Sequence, residues 1–369
     1  MITVTSPLLP DFDDFSNMLK EIWKSKWVTN MGALHEQFEK ELAQYLGVPF
    51  ISLYANGTLP LMAALRAYDL EGEVITTPFS FVATSHAIWW NRLTPVFVDV
   101  DPETGNMDPA RIEEAITEKT CAILPVHVYG QPCDTSAIGE IAKRHNLKLI
   151  YDGAHAFGVE KDGKSILTGG DVTTLSFHAT KVFNTIEGGA MVLNDAEAKE
   201  RMDLFKNFGF ADETIVKGPG FNGKLDEIRS AVGLLNLRQA DQAIARRAEI
   251  ASRYKDALRG IPGLGMMKEA EGVRYNWSYF PLRINGTEFG LSRDALYEKM
   301  KQKGIFTRRY FYPLISSFPP YNDLPSAQKE NLPNANRIAE EILCLPIHPY
   351  LEEKDIELVI NTIQNEKVN

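Results

Sequence analysis

The chain has 369 residues, more than one hydrophobic core usually serves, so two domains are expected, one of them large. Its 44% hydrophobic and 24% charged content is ordinary for a folded soluble protein and shows no sign of disorder. With 39 basic against 49 acidic side chains, a net charge of −10 and no Lys/Arg cluster, neither nucleic acid nor an anionic membrane is an expected partner, and an anionic ligand needs local binding groups.

The opening stretch, MITVTSPLLPDFDDF, lacks a basic start and turns acidic before any long apolar run, which argues against a secretory signal. No apolar stretch is long enough to span a bilayer. Cys121, Cys133 and Cys344 are scattered and odd in number, which fits reduced thiols and a cytoplasmic location.

From Phe50 to about Asn194, short β-branched or apolar runs alternate with amphipathic segments, the pattern of a mostly parallel sheet covered by helices. Seven strands are expected, at 50–55, 73–77, 95–99, 121–126, 148–152, 172–177 and 190–194, with helices at 59–67, 81–90, 109–116 and 135–145. Asp108 before Pro109 reads as a helix cap followed by a first-turn proline. After the Gly/Pro-rich loop 218–223, the segment 225–258 carries one glycine and no proline and predicts a long helix joining two domains. The expected division is a large α/β domain over 1–240, including the N-terminal segment, and a smaller α+β domain over 241–369. The second should hold a strand-like piece at 276–284 and helices at 293–303, 334–342 and 353–364.

In open α/β sheets ligands sit at the carboxyl ends of the strands. The strand in KLIYDGAHAFG closes on Asp152, with His155 just beyond, and the next strand runs through SFHATK to Lys181. Taken alone, an aspartate and a lysine so placed fit a structural ion pair. They also fit the two arms of a pyridoxal phosphate site, where a lysine amine forms a Schiff base with the aldehyde and an acid keeps the ring nitrogen protonated. The cofactor's phosphate needs backbone N–H groups at a helix start and hydroxyls, and its ring needs an aromatic partner. YANGTLPLMAAL offers Gly57 and Thr58 where a helix begins, which is equally a plain helix cap; Ser176 is a second hydroxyl and Phe81 a stacking candidate. His155 is placed to contact the ring.

These motifs resemble a known family. NGT at 56–58, FSFVAT at 79–84, HVYGQPCD at 127–134, DGAHAFG at 152–158, SFHATK at 176–181, EGG at 187–189 and NGKLDEIRSAVG at 222–233 are similar, in order, to the DegT/StrS-type sugar-nucleotide aminotransferases. The resemblance implies the aspartate aminotransferase-like fold, type I among pyridoxal phosphate enzymes, and a homodimer with shared active sites. It implies Lys181 as the lysine that carries the cofactor, Asp152 as the partner of the ring nitrogen and His155 as a ring contact. It further implies Gly57, Thr58 and Ser176 as phosphate binders, Phe81 as the stacking ring, and Asn222 as a residue reaching the neighbouring subunit's cofactor phosphate. Gly153 departs from the more usual DAAQ or DAAH wording and leaves Asp152 in place. Relatives with histidine at the lysine position are dehydratases; with Lys181 present, transamination is implied, L-glutamate being the donor and a nucleotide-linked keto-sugar the acceptor.

The stretch 304–322, GIFTRRYFYPLISSFPPYN, resembles enzymes that aminate carbon 4 of TDP-4-keto-6-deoxyglucose for surface glycans such as O-antigen, with carbon 3 enzymes as the alternative. Arg308, Arg309 and Tyr310 are candidates for the diphosphate or a sugar hydroxyl, since arginine suits bidentate phosphate contacts; a solvated edge is the plainer reading. His178 has a position beside Lys181 and no assigned role. GPGFNG at 218–223 satisfies G-x-G-x-x-G but follows the sheet instead of opening it, and reads as a joining loop. The histidines lack metal-type spacing, so no metal is expected, and no G-x-S-x-G elbow supports a hydrolase. A cofactor-binding regulator without turnover is the competing class.

Overall fold

The computed structural model describes residues 1–366; the last three residues of the expected second domain, 367–369, lie outside the described residues. All seven expected strands form one sheet: β1 (Phe50–Tyr54), β2 (Glu73–Thr76), β3 (Thr94–Phe97), β4 (Thr120–Leu124), β5 (Lys148–Asp152), β6 (Val172–Ser176) and β7 (Gly189–Leu193). Their order across the sheet is β1-β7-β6-β5-β4-β2-β3, and β7 runs antiparallel to both its neighbours while the other pairs are parallel. Beside the edge strand β1, the antiparallel β7 is buried on both faces, and the period of two divides its side chains between two cores. Along β7, Ala190 and Val192 join Phe38, Leu234 and Leu237, whereas Met191 and Leu193 face Leu61, Ala64 and Met202.

The expected helices lie at Thr58–Ala67, Ala83–Trp90, Pro109–Ala115 and Thr135–Arg144. Asp108 caps the third through the Ala110 N–H, as its position before proline predicts. Two helices in the first 50 residues, Phe12–Ser25 and Ala33–Leu46, were not expected. The first carries Phe12, Phe15, Met18, Leu19 and Ile22 at regular helical spacing behind an Asp11 cap, a signal the sequence does hold, although only Ile22 is buried.

The helix Glu227–Leu258 runs unbroken for 32 residues, about 48 Å at 1.5 Å per residue. Its first half, through Ala240, packs in the core under the large sheet; Ile250, Ala251, Tyr254 and Leu258 belong to a second core built on the antiparallel strands Leu264–Met266, Phe280–Ile284 and Ile342–Leu345 and on helices Arg293–Gln302 and Glu353–Gln364. We propose that these cores are the two expected domains. The chain start departs from that division: Ile2–Thr3 pair with Ile305–Phe306, and Ile2 lies in the second core. The strand expected from Asn276 begins at Phe280, because Trp277 takes a left-handed φ of 51° and the Asn276 amide is fastened to the carbonyls of His155 and Phe157.

Candidate active site

The carboxyl ends of β1, β2, β5 and β6 meet around a cavity of about 280 Å³ that holds Gly57, Thr58, Phe81, Asp152, His155, Ser176 and Lys181 in its lining. Seven of the eight cofactor candidates named from the sequence are thus brought together. At the exit of β1, Asn56 is the helix cap, its Oδ1 accepting from the N–H groups of Thr58 and Leu59 at 3.0 Å each. Gly57 packs so closely on β6 that a Cβ there would stand 2.6 Å from Ser176 Cβ. The Thr58 and Ser176 hydroxyls therefore line one end of the cavity together.

Asp152 closes β5 and is buried. Its Oδ2 accepts from the Thr84 hydroxyl at 2.7 Å and its Oδ1 from the Ala154 N–H at 3.0 Å. Burial raises its pKa above the usual carboxylate value, opposed by these two donors and by the charge of Lys181. Lys181 is the mirror case, its ammonium lowered to about 8 by burial and partly restored by Asp152. Its Nζ stands over the ring of Tyr279, 5.9 Å from the centroid.

His155 is buried, accepts the Tyr129 N–H on Nδ1 at 3.2 Å, and stacks on Phe311 with centroids 5.8 Å apart. Burial, with Lys181 second, holds its pKa well below 6.5. Phe81 is 60% exposed at the mouth, placed to cover a ring lying in the cavity. Asn222 is exposed and absent from the lining of its own chain's cavity.

The far wall comes from the C-terminal part of the chain. Of the three substrate candidates, Tyr310 lines the cavity and the exposed Arg308 stands beside its hydroxyl. Arg309 is turned away: it pairs with Asp294 at 2.8 Å and lies over the rings of Tyr297 and Tyr312, so the expected substrate contact is not what its side chain makes here. The sequence reading missed Tyr279, Phe311 and Thr84. Tyr279 arrives from a segment that read only as a strand, whereas Phe311 stood inside the stretch 304–322 beside Tyr310, and Thr84 inside FSFVAT as a hydroxyl on an apolar helix. His178, left without a role, accepts the Thr180 N–H on Nδ1 and faces Glu187 through Nε2 at 3.5 Å, both residues at the cavity rim.

A lysine of lowered pKa, a buried carboxylate held ionisable by two donors, paired hydroxyls at a helix start and an exposed ring fit an aldehyde, a pyridine nitrogen, a phosphate and a π face in turn. Together with the sheet order, that donor set defines a type I pyridoxal phosphate enzyme. The chain belongs to the DegT/DnrJ/EryC1/StrS aminotransferase family, whose model matches residues 11–364. It is 49% identical over 366 residues, 99% of each chain, to the dTDP-4-amino-4,6-dideoxy-D-glucose transaminase of Shigella dysenteriae, and 49% identical to the Escherichia coli protein of that name over 96% of this chain and 95% of that one. Among solved structures, DesI in the presence of its TDP-sugar product superimposes with a TM-score of 0.93 at 34% identity, covering 99% of this chain and 92% of that one. Helicobacter pylori PseC, an aminotransferase of pseudoaminic acid biosynthesis, gives 0.91 at 28%, covering 99% of each. The protein is a pyridoxal phosphate-dependent aminotransferase.

Proposed function

We propose that the protein transfers the amino group of L-glutamate to carbon 4 of TDP-4-keto-6-deoxy-D-glucose, giving TDP-4-amino-4,6-dideoxy-D-glucose for surface polysaccharide such as O-antigen. The observation that carries this reading is 49% identity over 99% of both chains to a transaminase named for that product. Bound in the cavity, pyridoxal phosphate supplies an electron sink for the donor's α-carbon and a carrier for the amine. The chain's own groups do the rest. Asp152 holds the proton of the ring nitrogen, Thr58, Ser176 and the Gly57 backbone hold the phosphate, and Phe81 covers the ring. Lys181 Nζ, once free, moves the proton taken from the donor's α-carbon, a task suited to an amine whose pKa of about 8 lies near working pH. Arg308 and Tyr310 meet the nucleotide-sugar.

The active unit is a homodimer in which Asn222 serves the partner's site. Supporting this are the position of Asn222 outside its own cavity and the exposure of Trp23, Trp27, Val28 and Met31 near the chain start. The location is cytoplasmic; among the described residues no helix is long and apolar enough to cross a membrane.

The test is to incubate the purified protein with glutamate and a panel of TDP- and UDP-linked keto-sugars and to identify the product by mass and NMR. A 4-amino product from the TDP-4-keto sugar is expected. Amination at carbon 3 would overturn the regiochemistry, and cofactor binding without any glutamate-driven turnover would indicate a regulator.

A further inference from the structure

Behind Asp152 a second hydroxyl continues the first. Thr84 Oγ1 lies 2.7 Å from Asp152 Oδ2 and 2.9 Å from Ser80 Oγ, and all three residues are buried. A carboxylate can only accept, and a hydroxyl has one proton to give. Thr84 therefore donates to Asp152, and Ser80 must donate to Thr84. The chain of donors has one direction, and each link polarises the next. Ser80 and Asp152 both reach the cavity lining, while Thr84 is wholly enclosed. Lys181 is the charged group facing this carboxylate, and the neighbouring His155 ring is held neutral.

We propose that Thr84 is a positioning residue for amino transfer, which with Ser80 behind it holds Asp152 as a weak base and so leaves the shared proton on the cofactor's ring nitrogen. The inference rests on the reading of Asp152 as the ring-nitrogen partner. Its physical content runs against the simplest expectation. A carboxylate buried without donors becomes more basic. Facing a pyridine nitrogen it would then draw the proton to itself, and the ring would lose the positive charge that makes it an electron sink. Hydroxyl and N–H donors on both oxygens prevent that. A hydrogen bond to a charged group is equivalent to roughly one to two pH units in a carboxylate's titration.

The experiment has two readouts. In the apoprotein, carbon-13 NMR of the Asp152 carboxyl gives its titration midpoint. In the holoenzyme, pyridoxal phosphate labelled with nitrogen-15 in the ring reports where the proton sits. Thr84→Val, of equal volume, is expected to raise the midpoint by roughly one to two units and to move the nitrogen signal toward the unprotonated value; Thr84→Ser restores both. Ser80→Ala shifts both in the same direction by less, and carries the test should Thr84→Val not fold. An unchanged midpoint in Thr84→Val, or in Ser80→Ala if that variant must stand alone, overturns the proposal, as does a failure of Thr84→Ser to restore the nitrogen signal. Asp152→Asn separates the two readings. If it leaves the nitrogen signal unchanged, the Asp152 assignment falls and this inference with it; if it moves the signal while the Thr84 and Ser80 variants do not, the Asp152 assignment stands and only this inference falls.

Discussion

Tyr129 donates its backbone N–H to Nδ1 of His155 at 3.2 Å, from a left-handed conformation with φ 58° and ψ 11°. The contact fixes the tautomer, because a neutral imidazole accepting on Nδ1 carries its proton on Nε2. His155 accordingly presents a donor. His155→Gln, which can accept and donate in the same sense, should keep cofactor affinity within a few-fold, whereas His155→Phe should weaken it by roughly tenfold, the loss of one hydrogen bond of about 1.4 kcal/mol. Fluorescence titration of the apoprotein with pyridoxal phosphate reads the difference, and equal affinities for both variants would count against the assignment.

His155 is one of several buried histidines. Burial lowers His35 and His348 to about 4 and His127 to about 3. Each folded pKa lies below the unfolded value near 6.5, so the unfolded chain binds more protons as pH falls between these limits. Stability is thus full above pH 6.5 and is lost on acidification through that window, by up to about 1.4 kcal/mol per pH unit for each histidine. Urea unfolding at pH 7, 6 and 5 should show this decline, and His348→Gln should make it shallower. A decline as steep in the variant as in the parent protein would remove His348 from the account.

Lys181 must be uncharged to attack the cofactor's aldehyde. The rate at which the apoprotein acquires the bound-cofactor absorbance should rise with pH and level off above about 8, the value to which burial brings the amine. Since the Asp152 charge raises that value, Asp152→Asn should move the midpoint lower while cutting turnover severely with the fold intact. Lys181→Ala should lose both covalent attachment and transfer. A midpoint near 10 in the parent protein would contradict the burial argument.

Gly57 tests the phosphate end. Its missing Cβ is the reason the exits of β1 and β6 approach so closely, with Ser176 Cα only 3.0 Å from where a Cβ would stand. Its φ is −77°, so alanine brings no backbone strain, only volume. Gly57→Ala should displace the Ser176 hydroxyl, weaken cofactor binding by on the order of 10- to 100-fold and lower stability by about 1–3 kcal/mol, since the new Cβ meets Ser176 Cα as well as its side chain. A loss of stability without a loss of affinity would instead make Gly57 a packing residue alone.

How much of this was legible depended on distance along the chain. The seven strands announced themselves by runs such as VTTLS and GAMVL, because apolar patterning is local. Asp152, Lys181 and Ser176 followed, since each stands at or just past a strand end and strand ends converge. Tyr279 and Phe311 gave no strand-end signal; they matter because they pack with Phe79 and Tyr129 in one cluster at the sheet's carboxyl edge, which only tertiary packing decides. The setting of Arg309 was hidden for the same reason, as nothing near it in sequence foretold that Asp294 and two tyrosines would hold it.

The long helix Glu227–Leu258 is common to both cores, while the cavity's walls carry Asp152 and Lys181 from the sheet and Tyr279 and Tyr310 from a third cluster that packs C-terminal residues on the sheet. Arg247, midway along the helix, donates from Nη1 to the carbonyls of Trp277 and Ile347 and is fully buried. One buried guanidinium thus ties the shaft to the segment that carries Tyr279, so the long helix fixes that ring of the site through a single charged side chain.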